Sequence, residues 1–92
     1  MKAPTLTEIH VGMKVEVVNC GNEISKDAET AYWVATILNV NINMMLLRYE
    51  GYENDNSDDF WFDIRSRHVH PVGWCYSVQK LLIPPSGTKI DP

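Results

Sequence analysis

The run Ala31-Tyr32-Trp33-Val34-Ala35-Thr36-Ile37-Leu38-Asn39-Val40, then Asn41-Ile42-Asn43, then Met44-Met45-Leu46-Leu47-Arg48-Tyr49-Glu50 decides the fold class. Aromatic and β-branched side chains fill the first segment, and they suit a pleated surface. Asn tolerates left-handed backbone, so Asn41-Ile42-Asn43 predicts a hairpin turn. The second segment then returns as the partner strand. Upstream, Met13, Val15 and Val17 alternate with Lys14 and Glu16, which predicts a half-buried strand from Met13 to Val18. Asn19 to Thr30 reads as a polar loop. Downstream, Gly51 to Asp58 is an acidic loop. Asp59 to Asp63 is a short strand, with Phe60 and Phe62 on one face and Trp61 on the other. Arg65 to His70 predicts a turn of 3-10 helix and a last short strand. Pro71-Val72-Gly73 is a tight connection, and Leu81-Leu82-Ile83-Pro84-Pro85 is an extended exit.

Four or five short strands without a long helix predict an all-β domain, a small antiparallel barrel. Closing such a sheet removes edges that would pair with other chains. The expected inward residues are Val15, Val17, Val34, Ile37, Leu46, Phe60 and Val69. Trp61 and Trp74 read as core and turn-locking residues, and Trp33 as a candidate for an outward face. Residues 1–10 are read as a lead-in, 11–85 as the core and 86–92 as a tail or linker.

With 92 residues the chain is one domain near the lower limit for a self-sufficient core. The formal net charge is −4, with eight Lys and Arg that do not cluster. This weighs against bulk attraction to nucleic-acid phosphate or an anionic membrane and suits a basic partner. Cys20 and Cys75 are too few for a disulfide scaffold and read as reduced thiols. No apolar run approaches the ~20 residues that span a bilayer, and Met1-Lys2-Ala3-Pro4-Thr5 lacks a signal-peptide core, so an intracellular protein with no membrane partner is the expectation.

Catalytic and metal chemistry finds little footing. His68, His70, Cys20 and Cys75 lack the paired spacing of a zinc site. His70 reads as a buried hydrogen-bonding residue that anchors the turn before Pro71. Asp55-Asn56-Ser57-Asp58-Asp59 lacks the central Gly and final Glu of a calcium loop. No phosphate loop or nucleophile elbow is present. No metal, cofactor or enzymatic activity is expected. Asp59 is set apart from the acidic run as a residue that holds the loop through backbone amides.

The landmarks follow a distinctive order: Gly12-Met13-Lys14-Val15-Glu16, Trp33-Val34-Ala35-Thr36-Ile37, Leu46-Leu47-Arg48-Tyr49-Glu50-Gly51-Tyr52, Asp59-Phe60-Trp61-Phe62-Asp63, then His70-Pro71-Val72-Gly73-Trp74-Cys75 and Pro84-Pro85. The chain resembles a malignant brain tumor (MBT) repeat across residues 11–85. It is similar to a repeat of the Scm-like, four-MBT-domain Polycomb-group proteins. The resemblance implies a five-stranded Tudor/SH3-like barrel in a nuclear repressor protein. Neighbouring MBT repeats, histone tails or Polycomb-group proteins are the implied partners.

Some repeats of this family bind mono- or dimethylated lysine in an aromatic cage with one acid. Each ring contributes about 0.5–2 kcal/mol of cation–π attraction. The acid takes the remaining N–H in a charge-assisted hydrogen bond. In this chain the acid's place, after Glu16-Val17-Val18, is held by Asn19, which accepts a hydrogen bond without charge. Tyr49 and Tyr52 match two cage aromatics. The third aromatic's place, before Asp59-Phe60-Trp61, is held by Asp58. A lost charged hydrogen bond costs roughly 1.5–3 kcal/mol and a lost ring roughly 1. A deficit of ~3 kcal/mol is more than about a hundredfold in affinity.

The resemblance therefore implies a non-catalytic chromatin module, an architectural or protein-interaction repeat with a degenerate methyl-lysine pocket. One alternative is an active low-methylation reader, with Asp55 or Asp58 swinging in as the acid. An alternative of another class is a nucleic-acid-binding small barrel that stacks bases on exposed Tyr and Trp. The scattered basic residues weigh against it.

Overall fold

The computed structural model describes residues 8–19, 31–52 and 56–84. Cys20, Asp55, the first part of the lead-in and the 86–92 tail lie outside the described residues. Five strands form: β1 (Lys14–Val18), β2 (Tyr32–Asn41), β3 (Met44–Tyr49), β4 (Phe60–Asp63) and β5 (Val69–Pro71). They make one antiparallel sheet in the order β4-β3-β2-β1-β5. The all-β, five-stranded antiparallel expectation holds.

β2 sits at the centre of the sheet, between β3 and β1. Val15 and Val17 of β1, Ala35 and Ile37 of β2, Met45 and Leu47 of β3 and Val69 of β5 form the core. Two expected core positions are corrected. Val34 and Leu46 are only half-buried, and their neighbours Ala35, Met45 and Leu47 point inward. Side chains alternate along a strand, so Val34 and Ile37 cannot share a face without an extra residue between them. The irregularity falls after Ile37, between Ile37 and Asn39, which leaves Ala35 and Ile37 in phase. Phe60 is half-buried against the core as expected.

The hairpin turn also differs from expectation. Asn41 pairs with Met44, and the residue with positive φ is Ile42 at 55°, not an Asn. Core burial of Met45 and Leu47 fixes the register, and the turn takes whichever residue falls there. Ile42 is left almost fully exposed.

After β4 a tight turn brings the Ser66 N–H to the Asp63 carbonyl at 3.0 Å, the bond of a β-turn, and the 3-10 turn expected over Arg65 to His70 does not form. Beyond β5, the expected connection continues into a short helix, α1 (Trp74–Val78). No helix among the described residues is long and apolar enough to cross a membrane. The exit segment then bonds back to the start of β2. Tyr32 N–H donates to Leu81 O at 3.0 Å, and Ile83 N–H donates to Tyr32 O at 2.8 Å.

Candidate functional site

Asn19 follows β1 directly and is buried, with 5% of its surface exposed. Its backbone N–H donates to Ala31 O at 2.8 Å. Its side-chain Nδ2 donates to Ile83 O at 2.6 Å. Its Oδ1 is buried and has no hydrogen-bond partner among the described residues. Buried polar atoms without partners are uncommon in folded proteins.

Tyr49 closes β3, and its hydroxyl donates to Val18 O at 2.7 Å. That bond ties one ring to the strand end that carries Asn19. Tyr52 lies past a turn at Gly51, whose φ of 98° favours glycine. The Tyr49 and Tyr52 ring centres are 6.4 Å apart at 53°. Phe60 backs Tyr49 from 4.9 Å. Tyr49 and Tyr52 are thus in ring contact, and Tyr49 is tied to Val18, the residue before Asn19. Asp58 is exposed on the loop before β4.

The loop between Tyr49 and Phe60 is fastened at both ends, and at the far end by Asp59, the residue expected to hold it. At the near end, Glu50 N–H donates to Val34 O at 2.9 Å, and the Trp33 indole N–H donates to Glu50 O at 3.0 Å. The Glu50 carboxylate accepts from Lys14 Nζ. At the far end, Arg48 holds Asp59 with two bonds, Nε to Oδ1 and Nη2 to Oδ2, each 2.8 Å. Asp59 holds the loop through this fork. Opposite charges on neighbouring β-strands were the available signal. Trp33 is half-buried, with its indole N–H held by Glu50 O. Trp61 is the outward Trp, 46% exposed on β4, contrary to the core role expected for it.

The other side of β1 carries a buried acid. Glu16, 3% exposed, accepts from Gly73 N–H at 2.9 Å and from Cys75 N–H at 2.7 Å. Burial, reinforced by a hydrogen bond and charge from Glu16, pushes the Cys75 thiol up to about 12, so it stays protonated and unreactive. His70 stacks on Trp74 with centres 3.5 Å apart and planes at 5°, and Tyr32 completes the cluster at 5.1 Å from Trp74. Burial lowers the His70 pKa despite a backbone hydrogen bond with Arg67. Trp74 packs at the turn as expected, while His70 meets it chiefly by stacking and its Nε2 is buried without a hydrogen-bond partner among the described residues. Among the described residues, no three His, Cys, Asp or Glu side chains gather as metal ligands.

Residues 13–89 match the family model of the MBT repeat. The chain is 46% identical over 78 residues to "Scm-like with four MBT domains protein 1" of Rattus norvegicus, covering 85% of this chain and 8% of that protein. It is 49% identical over 80 residues to "Polycomb protein Sfmbt" of Drosophila pseudoobscura pseudoobscura, covering 82% of this chain and 6% of that protein. Among solved structures it is similar to the four MBT repeats of Drosophila melanogaster Sfmbt in complex with the peptide RHR(me)KVLR, with TM-score 0.70, 42% identity and coverage of 88% of this chain and 16% of that one. The chain therefore spans less than a tenth of the length of these curated relatives. An antiparallel five-stranded fold, the ordered landmarks and relatives of this identity all agree: the chain belongs to the MBT-repeat family.

Proposed function

We propose that this chain is a non-catalytic chromatin module of a Polycomb-type repressor, acting in the nucleus as an architectural or protein-interaction repeat with a degenerate methyl-lysine pocket. One observation carries this reading. The position that should supply an anion supplies Asn19, whose amide nitrogen is already bonded to Ile83. A methylammonium entering between Tyr49 and Tyr52 loses hydration and gains no counter-charge from that residue. Asp58 sits exposed on the loop, so no third ring stands at its position.

Exposed apolar side chains support the interaction role. Tyr76 on α1 is 90% exposed, and Val72 and Leu81 are also exposed. Neighbouring repeats or other chromatin proteins are the partners such a face suits.

A second reading, an active reader of mono- or dimethylated histone lysine, is favoured by the Tyr49–Tyr52 pair and by the methylated peptide bound to Drosophila Sfmbt. Titration with mono- and dimethyl-lysine histone peptides, followed by NMR, separates the two. We expect no saturable shifts at Tyr49 and Tyr52 up to about 1 mM peptide, which corresponds to about −4 kcal/mol. Saturation below that concentration establishes the second reading instead.

A further inference from the structure

We propose that the tip of the β2–β3 hairpin is a knob, and that it seats in the groove between α1 and the exit segment of a second copy of this chain. The inference rests on the interaction role proposed above and names the partner for it.

The tip holds a residue that the fold itself does not ask for. Asn41 pairs with Met44, so Ile42 and Asn43 are the two central residues of the turn. Positive φ at Ile42, and not at Asn43, is the pattern of a type II′ turn, where glycine is preferred at the first central place. A β-branched side chain there is an outlier. Ile42 gains little in return from its own chain, because 87% of its surface is exposed. Local strain together with an exposed apolar side chain points to a contact outside the chain. The surroundings suit burial. No charged residue occurs between Thr30 and Leu47, and the exposed, uncharged Asn39, Asn41 and Asn43 flank Ile42. Across the ladder, Asp63 lies opposite Met44 and is paired with Arg65. The core of an interface is built in this way, from an apolar anchor depleted of neighbouring charge.

The same chain carries a socket of matching chemistry. Cys75, Tyr76, Ser77, Gln79, Lys80 and Leu81 line an open groove of about 570 Å³. Tyr76 and Leu81 give it exposed apolar surface. Ser77, Gln79 and Lys80 supply hydrogen-bonding groups that suit asparagine amides, and none of these lining residues is an acid. Leu81 O accepts from Tyr32 N–H, so the groove adjoins the first residue of β2, whereas Ile42 follows the last. Ten residues of strand, roughly 30 Å at ~3.3 Å each, lie between them. A copy cannot fill its own groove, but the tip of one can fill the groove of the next, head to tail. A single anchor of this kind makes a weak contact, with a Kd on the order of 0.1–1 mM.

The test is NMR of the full chain, diluted from about 1 mM to about 20 µM to bracket that range. Amide shifts at Ile42 and Asn43, and at Ser77 to Leu81, should follow one common binding curve. Ile42→Gly suits the turn, so its urea midpoint should match or exceed that of wild type, while the concentration dependence disappears at both places. Tyr76→Glu changes a side chain that is 90% exposed and should abolish the dependence from the groove side. A mixture of the two variants contains one intact knob and one intact groove. Adding unlabelled Tyr76→Glu to labelled Ile42→Gly should therefore restore the shifts at Ser77 to Leu81. Absence of shifts on dilution, shifts at only one of the two surfaces, association of Ile42→Gly equal to that of wild type, or a silent mixture overturns the inference. Any of these results leaves the proposed function standing. Saturable binding of a dimethyl-lysine histone peptide defeats that function without touching the knob, so the two failures are distinguishable.

Discussion

The carboxylate of Glu16 and the backbone N–H of Cys75 meet at 2.7 Å, joining the third residue of β1 to helix α1 across 59 sequence positions. Gly73, at the N-cap of α1, offers no side chain, and Glu16 fills that role from the sheet, taking two otherwise unpaired N–H groups. Glu16→Ala should leave both donors buried without an acceptor and cost about 2–4 kcal/mol. Glu16→Gln keeps one acceptor and should lose less. Urea denaturation of the two variants checks the order.

His70 makes stability depend on pH. Its pKa in the folded protein lies below the ordinary 6.5 because burial disfavours the charged ring. Between those two values the unfolded chain binds more protons than the folded one, so stability falls as pH falls. The contribution is complete above 6.5 and is lost as pH drops through the folded value. Thermal unfolding should shift to lower temperature between pH 7.5 and pH 5. His70→Phe keeps a ring against Trp74 and removes the titrating group. It should flatten that part of the slope.

The Arg48–Asp59 fork closes the loop that carries Tyr52. Both side chains are largely buried and the bonds are paired and parallel, so the contact is stronger than a surface ion pair. A double-mutant cycle with Arg48→Ala and Asp59→Ala should give a coupling of about 1–3 kcal/mol. Arg48→Lys cannot reproduce the fork and should recover little of it.

Cys75 should be silent toward thiol reagents. It is fully buried, and its thiol is pushed up to about 12. In a Cys20→Ser background, Ellman's reagent at pH 8 should react only at the rate of opening. Adding urea to the unfolding midpoint should accelerate modification by orders of magnitude.

Tyr49→Phe removes the hydroxyl that holds Val18 O. We expect a loss of about 1 kcal/mol in chemical denaturation, with larger exchange changes at Val18 and Asn19 than at Ile37.

Much of this was legible in the chain. Alternation at Val15 and Val17, the β-branched run before Asn41 and the return through Leu47 gave the strands, because a period of two survives any packing detail. The ordered landmarks pointed to the family. Phase within a strand was less legible. Val34 and Ala35 are both small and apolar, and only the position of the irregularity after Ile37 chose between them. Helix α1 carried no start signal, since its cap comes from Glu16.

The sequence alone determined which residue types could stand at the proposed pocket: an amide at 19, phenols at 49 and 52, an acid at 58. What each of them does was decided in three dimensions. Asn19 is spent on Ile83, Tyr49 on Val18, and Asp59 on Arg48, and each bond joins groups far apart in the chain. A hydrogen bond depends on direction and on a distance near 3 Å, and no local pattern of side chains encodes either until the sheet has formed.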